Sequence, residues 1–198
     1  MGVDAQTIAT YDARSEDYRE RFRSERPNPH LTAFAALLPD AGQVLDLGCG
    51  PGTDALALSQ LGFKITGYDA SIQMVNLARN IGVDAHLKTF DELDDHAAFD
   101  GVWANFSLLH APRRDMPRHL SAIHRALRPN GTFHLGLKTG EGSRRDGIGR
   151  SYTYFAVEEL AELLDAAGFT VHKSTTGQSE GLDGTIAPWV VTLCKRDG

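Results

Sequence analysis

Residues 44–55 read Val44-Leu45-Asp46-Leu47-Gly48-Cys49-Gly50-Pro51-Gly52-Thr53-Asp54-Ala55. Apolar residues run up to Leu47, as in a short strand buried on both faces. Three glycines then permit positive-φ turning and close approach of backbone to a ligand. A helix is expected to begin near Thr53, aiming its N-terminus at the loop. In an open α/β sheet this is the carboxyl edge, where ligands bind. The spacing discriminates. A dinucleotide fingerprint, G-x-G-x-x-G, needs a glycine at position 53, which is Thr53, and Asp46 inside the strand end is foreign to it. A P-loop needs Gly-Lys-Ser/Thr, and none follows.

Working outward, strand and helix alternate. Helix 53–61 stops at Gly62, strand 63–68 follows, and helix 71–80 stops at Gly82. Strands are expected at 83–87 and 99–105. Asp115 is expected to cap a helix carrying Met116, Leu120, Ile123 and Leu127 on one face. Pro129-Asn130-Gly131 reads as a turn before a strand at 132–138. Leu160, Leu163, Leu164 and Ala167 mark a further helix, ended by Gly168. This pattern predicts a parallel sheet covered on both faces. Residues 169–175 and 188–194 are strands with no helix between them, so they are expected to pair antiparallel at one edge.

The second strand ends in Gly67-Tyr68-Asp69, and Asp69 lies nineteen residues after Gly50. A carboxylate there can accept both hydroxyls of a ribose. Glycine loop and acidic strand end together imply an adenosine-type ligand.

Composition agrees with an ordinary globular α/β chain. Of 198 residues, 41% are hydrophobic and 23% charged, with a formal net charge of −6. The acidic balance disfavours nucleic-acid backbone as a partner. Cys49 and Cys194, the two cysteines, cannot form a disulfide framework or a cysteine-rich zinc module. No stretch approaches a membrane span, and the polar N-terminus lacks the apolar core of a signal peptide. A cytoplasmic location is expected.

The stretch 44–55, with Gly67-Tyr68-Asp69-Ala70-Ser71, Phe99-Asp100-Gly101-Val102-Trp103-Ala104-Asn105 and Leu127-Arg128-Pro129-Asn130-Gly131, resembles the class I S-adenosylmethionine-dependent methyltransferases, most closely small stand-alone bacterial members. The resemblance runs from about Tyr11 to the end. It implies a Rossmann-like, doubly wound sheet of seven strands in order 3-2-1-4-5-7-6, the last antiparallel. It also implies S-adenosyl-L-methionine as cofactor and S-adenosyl-L-homocysteine as product. Gly48, Cys49 and Gly50 would line the methionine part, with Asp46 orienting its amino group from behind the loop. Asp69 would hold the ribose, with Ala70 and Ser71 beside it. Met74 would lie against the adenine, or serve only as helix core. Thr89 and Phe90 would flank the adenine edge, where Asp91 follows Phe90 instead of preceding it. Ala104 and Asn105 would offer backbone to the methionine ammonium. Tyr11 and Tyr18 match lid aromatics.

The chain reads as one methyltransferase domain: a helical lid at 1–40, a cofactor-binding core at 41–138, a substrate loop at 139–155, and a C-terminal helix with the antiparallel pair at 156–198. Residues 12–26 carry ten charged side chains, yet Tyr11, Tyr18 and Phe22 share a stripe. That stripe docks the helix, covers a ligand, or does both.

Methyl transfer from a sulfonium needs orientation and exclusion of water more than a catalytic acid or base. His110, in the loop after the fourth strand, is the candidate base, with a structural histidine as the alternative. His119 and His124 lack the i, i+4 spacing of a helical metal pair, and no metal site is expected. Lys138, Arg144, Arg145 and Arg150 lie in a glycine-rich stretch read as a mobile loop. They would receive an anionic acceptor, or simply face water. Tyr152 would wall the pocket. Arg113, Arg114, Arg118 and His119 would touch phosphate or form a solvated helix start. The favoured function is methylation of a small polar or anionic molecule by a monomer or homodimer, without a membrane. The alternatives are a tRNA nucleoside or protein side chain as acceptor, or non-catalytic binding of S-adenosylmethionine.

Overall fold

The computed structural model describes residues 4–21 and 28–198. Phe22 lies outside the described residues. The central sheet has seven strands: β1 (Gln43–Leu47), β2 (Lys64–Asp69), β3 (Asp84–Leu87), β4 (Phe99–Asn105), β5 (Leu127–Lys138), β8 (Phe169–Glu180) and β9 (Ile186–Arg196). Their order is β3-β2-β1-β4-β5-β9-β8. The first five are parallel, and β9 runs antiparallel to both β5 and β8. Once the small hairpin of β6 (Ser143–Arg145) and β7 (Ser151–Thr153) is set aside, this is the expected order and edge pair.

Alternate residues of the inner strands face two cores. Val44 and Trp103 pack with Leu31 and Phe34 of α3 (Pro29–Ala35) and Leu58 of α4 (Thr53–Gln60). Leu45, Val102 and Leu135 pack with Leu120 and Ile123 of α6 (Met116–Ala126) and Leu160 and Leu164 of α7 (Val157–Ala166). Val75 and Ala78 of α5 (Ile72–Asn80) pack with Ala55 and Ala85 on the α4 side. Strands buried on both faces explain why β1 reads as continuous apolar sequence.

Four local expectations need correction. The Pro129-Asn130-Gly131 stretch does not separate elements; β5 runs through it. Leu127 pairs with Phe99, the register shifts, and Thr132 then pairs with Gly101, with Asn130 at φ 62. Asp115 precedes α6, but its side chain makes no capping bond. The N-terminal helix divides at Arg14 into α1 (Ala5–Ala13) and α2 (Ser15–Arg21). The stretch expected to be a mobile loop folds into a hairpin of β6 (Ser143–Arg145) and β7 (Ser151–Thr153). Its glycines serve turn geometry: Gly140, Gly142 and Gly149 all have positive φ.

Candidate active site

The glycine loop is shaped by contacts on both sides. Gly48 and Cys49 donate their N–H groups to the Tyr68 carbonyl at 2.7 and 3.0 Å. Gly48 sits at φ +81, and a Cβ there would fall 2.2 Å from Cβ of Ser107. Only glycine lets the loop after β1 lie against the loop after β4. A Cβ at Gly50 would meet only Tyr18, at 3.8 Å, so that glycine keeps the space under the lid open.

Three carboxylates surround the loop. Asp69 accepts from Ser71 N–H on one oxygen and Gly50 N–H on the other, both at 2.8 Å. Burial pushes its carboxyl upward, against the pull of those bonds. Burial raises Asp46 well above the carboxylate range, and Asp54 and Asp69 push it further. Its Oδ2 is buried without a partner. Asp54 is also raised by burial, and its Oδ2 accepts from Trp103 Nε1 at 3.0 Å and Asn105 Nδ2 at 3.2 Å. Among the described residues no lysine or arginine pairs with any of the three. Uncompensated buried carboxylates disfavour their own charge unless a cation arrives.

The loop, the N-terminus of α5 and the lid enclose a cavity of about 570 Å³, including its open mouth. Gly48, Gly50, Asp69, Ala70, Ser71, Met74, Phe90 and Asn105 line one part, and Tyr18 lies over the glycines. Thr7, Ile8, Tyr11, Phe106, Ser107 and His110 line the rest. Asp46, Cys49, Thr89 and Ala104 are not in the wall. Cys49 is buried with its thiol pushed upward, and its Sγ would meet a Cβ at Gly67 at 2.9 Å. Ala104 is core, and Thr89 bonds Glu92 through both its N–H and its hydroxyl.

The acceptor end is a network that sequence reading missed. His110 Nδ1 lies 2.7 Å from the Ser151 carbonyl, which can only accept, so Nδ1 carries the hydrogen. Nε2 is then the bare nitrogen, and the Tyr11 hydroxyl donates to it at 2.8 Å. Arg150 NH1 donates to the same hydroxyl oxygen at 3.2 Å. The Arg150 guanidinium is buried, paired with Asp146 at 2.8 Å, and faces the rings of Tyr11 and Tyr152. Burial pulls His110 down to about 4, so it is neutral at physiological pH.

The other cations point elsewhere. Arg144 donates to the Tyr154 hydroxyl at 2.8 Å, and Arg145 pairs with Asp4 at 2.8 Å. Lys138 Nζ lies 4.5 Å from the Tyr152 ring centre, and neither residue lines the cavity; Tyr152, expected to wall the pocket, packs edge-on against His110 instead. Arg113 pairs with Glu159 and the Tyr154 carbonyl, and Arg118 with Asp91. His119 is buried. Arg113 and Arg118 are thus spent on contacts within the chain. Among the described residues there is no group that could hold a metal ion, and no helix long and apolar enough to cross a membrane.

These features suit S-adenosylmethionine. Asp69 lines the cavity, and the buried Asp46 close to it has an unpartnered Oδ2; the ammonium and sulfonium of this cofactor carry positive charge that would offset these carboxylates. Asp69 stands just before the α5 N-terminus, and Met74 and Phe90 give the cavity apolar surface. A family model of the methyltransferase domain matches residues 18–174. An uncharacterized methyltransferase of Schizosaccharomyces pombe is 31% identical over 185 residues, covering 80% of this chain and 71% of its own. Malonyl-[acyl-carrier protein] O-methyltransferase of Pseudescherichia vulneris is 33% identical over 185 residues, covering 91% and 67%. The crystal structure of Burkholderia thailandensis 1,6-didemethyltoxoflavin-N1-methyltransferase, with bound 1,6-didemethyltoxoflavin and S-adenosylhomocysteine, is similar at TM-score 0.79 and 28% identity, covering 98% of this chain and 88% of that one. The chain belongs to the methyltransferase family, and its cofactor is S-adenosylmethionine.

Proposed function

We propose that this chain methylates a small polar molecule held under the lid, beside the loop after β4, acting as a single domain. The observation that carries this reading is the buried Tyr11–His110 pair in the cavity wall, braced by Arg150 and the Ser151 carbonyl. Bound in the cavity, the cofactor supplies a methyl group on a sulfonium, an electrophile with a good leaving group. Asp69 would hold its ribose, Asp46 its amino group, and Tyr18 would close over it. Tyr11 and His110 would orient the acceptor, and the lid would exclude water. The proton that the acceptor releases would pass to the Tyr11 oxygen as the Tyr11 hydroxyl hydrogen moves to Nε2 of neutral His110.

Arg144 and Arg145 spend their charge on Tyr154 and Asp4, so the geometry favours a polar acceptor over an anionic one. The names of relatives span more than this range: one is a 1,6-didemethyltoxoflavin-N1-methyltransferase, another a malonyl-[acyl-carrier protein] O-methyltransferase.

Thermal shift tests the first half of the proposal. A ligand present at 100 times its Kd and bound only by the folded state adds about 2.7 kcal/mol. That corresponds to several degrees in a domain of this size. S-adenosylmethionine and S-adenosylhomocysteine should both raise Tm, and NAD should not. A shift with NAD alone would overturn the site assignment. A panel of hydroxyl-, amine- and thiol-bearing heteroaromatics then tests turnover. His110→Ala should keep cofactor binding and lower the rate on whichever acceptor responds.

A further inference from the structure

The hydrogens at the acceptor end of the cavity are nearly all committed, and this commits the chemistry of what can bind there. The Thr7 hydroxyl donates to Asp4 at 2.9 Å, and its oxygen receives the Ser151 N–H. The Ser107 hydroxyl donates to the Leu47 carbonyl. His110 gives its one hydrogen to the Ser151 carbonyl, and Tyr11 gives its hydroxyl hydrogen to His110. The backbone N–H groups of Phe106 and His110 go to the carbonyls of Gly136 and Ser107. Ile8 and the Phe106 ring supply only apolar surface. What these side chains leave facing inward is lone pairs, on the oxygens of Tyr11 and Ser107. The nearest cations do not change this. Arg150 turns its NH2 to Asp146 at 2.8 Å and is not part of the cavity wall, and neither is Lys138.

We infer that the methyl acceptor presents a hydrogen-bond donor, a neutral hydroxyl or N–H, to the Tyr11 oxygen, and that carboxylates and other anions are rejected at this end. The inference rests on the proposed methyltransferase site and narrows its substrate class. An anion placed here would lose water and gain no donor from the side chains of Thr7, Tyr11, Ser107 or His110, while meeting two or more lone pairs. Neutral His110 adds no imidazolium N–H, since burial keeps its titration near 4. A donor-bearing nucleophile fits instead: its hydrogen points at Tyr11, and the lone pair that attacks is turned away from Tyr11 toward the rest of the cavity.

The test uses the S-adenosylhomocysteine complex, which cannot turn over, and three probes of one shape: phenol, aniline and benzoate. Ligand-observed NMR at pH 7 measures their affinities. Phenol and aniline should bind at least about tenfold more tightly than benzoate, the ratio expected when one buried polar mismatch separates them. Tyr11→Phe should erase that preference. Calorimetry with S-adenosylhomocysteine must show that the variant still closes over the cofactor, within threefold of wild type. If Tyr11→Phe fails that control, His110→Gln serves. Its amide brings an N–H to the same end, and benzoate should gain on phenol. Benzoate binding as well as phenol, phenol failing to bind, or a preference unchanged in a variant that passes the control would each overturn the inference. Failure of wild type to bind S-adenosylhomocysteine would instead strike the proposed function itself.

Discussion

Asp46 in β1 and Asp69 at the end of β2 flank the glycine loop and do different work. Asp69 is built into the fold, because its oxygens fasten Gly50 and Ser71. Asp46 has one oxygen buried with nothing to meet it. A buried carboxylate whose carboxyl is pushed upward costs stability once it ionises, and that cost disappears as pH falls through its folded titration point. Asp46→Asn keeps the shape and removes the charge. It should raise the Tm of the ligand-free protein at pH 7 and weaken S-adenosylhomocysteine about tenfold or more, the scale of one charge-assisted hydrogen bond. Asp69→Ala should lower Tm and affinity together. Differential scanning calorimetry and titration calorimetry separate the two cases, and a lower Tm in Asp46→Asn would show that its charge is compensated by something else. Asp69 was legible because a carboxylate after the second strand has one well-defined place in this architecture. Asp54 and Trp103 were not, because their bond joins residues 49 positions apart and needs α4 laid across β4.

At the acceptor end α1 is part of the wall, and the β6–β7 hairpin braces it from behind. Ser151 N–H reaches Thr7, Thr10 reaches the Ile148 carbonyl, Arg145 reaches Asp4, and Arg150 reaches Tyr11. At the other side of α1, Asp12 accepts from Ser71 at the start of α5. The lid therefore bridges the hairpin and the helix end beside Asp69. The hairpin was read as a loop because three-residue strands carry no usable alternation, and β6 is exposed throughout. Its stability comes from Asp146, which accepts the N–H groups of Ile148 and Arg150 and pairs with the Arg150 side chain. Removing one member of a buried ion pair costs about 3–5 kcal/mol, since the other charge is left without compensation. Asp146→Asn should lower Tm by on the order of 10 °C and weaken cofactor binding through the lid. An unchanged Tm would mean that the hairpin does not depend on that pair. The half-exposed Arg21–Glu180 pair should contribute little by the same measurement.

At the scale of the whole molecule, buried histidines set the acid limit. His110 is drawn down to about 4 and His134 well below its ordinary value, both chiefly by burial; His30, His119 and His124 shift the same way. Between about pH 6.5 and 4 the unfolded chain binds more protons at these sites than the folded one, so stability falls as pH drops through that window. The raised carboxylates Asp46, Asp54 and Asp69 act in the opposite sense. Urea unfolding from pH 7 to 4 should show a net loss, and Asp46→Asn should lose more steeply than wild type. A shallower loss in the variant would reverse the assigned sign for Asp46.

The amino-acid order by itself determined the seven-strand plan, the glycine loop and the carboxylate at the end of β2. Each rests on local rules: strands buried on both faces, glycine where φ must be positive, helices stopped at Gly62, Gly82 and Gly168. The tertiary structure alone decided the acceptor end. Tyr11, His110 and Arg150 stand 99 and 139 positions from one another along the Tyr11 contacts, and no periodicity spans such distances. Only folding brings a lid tyrosine, a histidine after β4 and a hairpin arginine together. Only burial then fixes which of their hydrogens remain to be offered, because in water each group would exchange its partner freely, and inside the protein each has one.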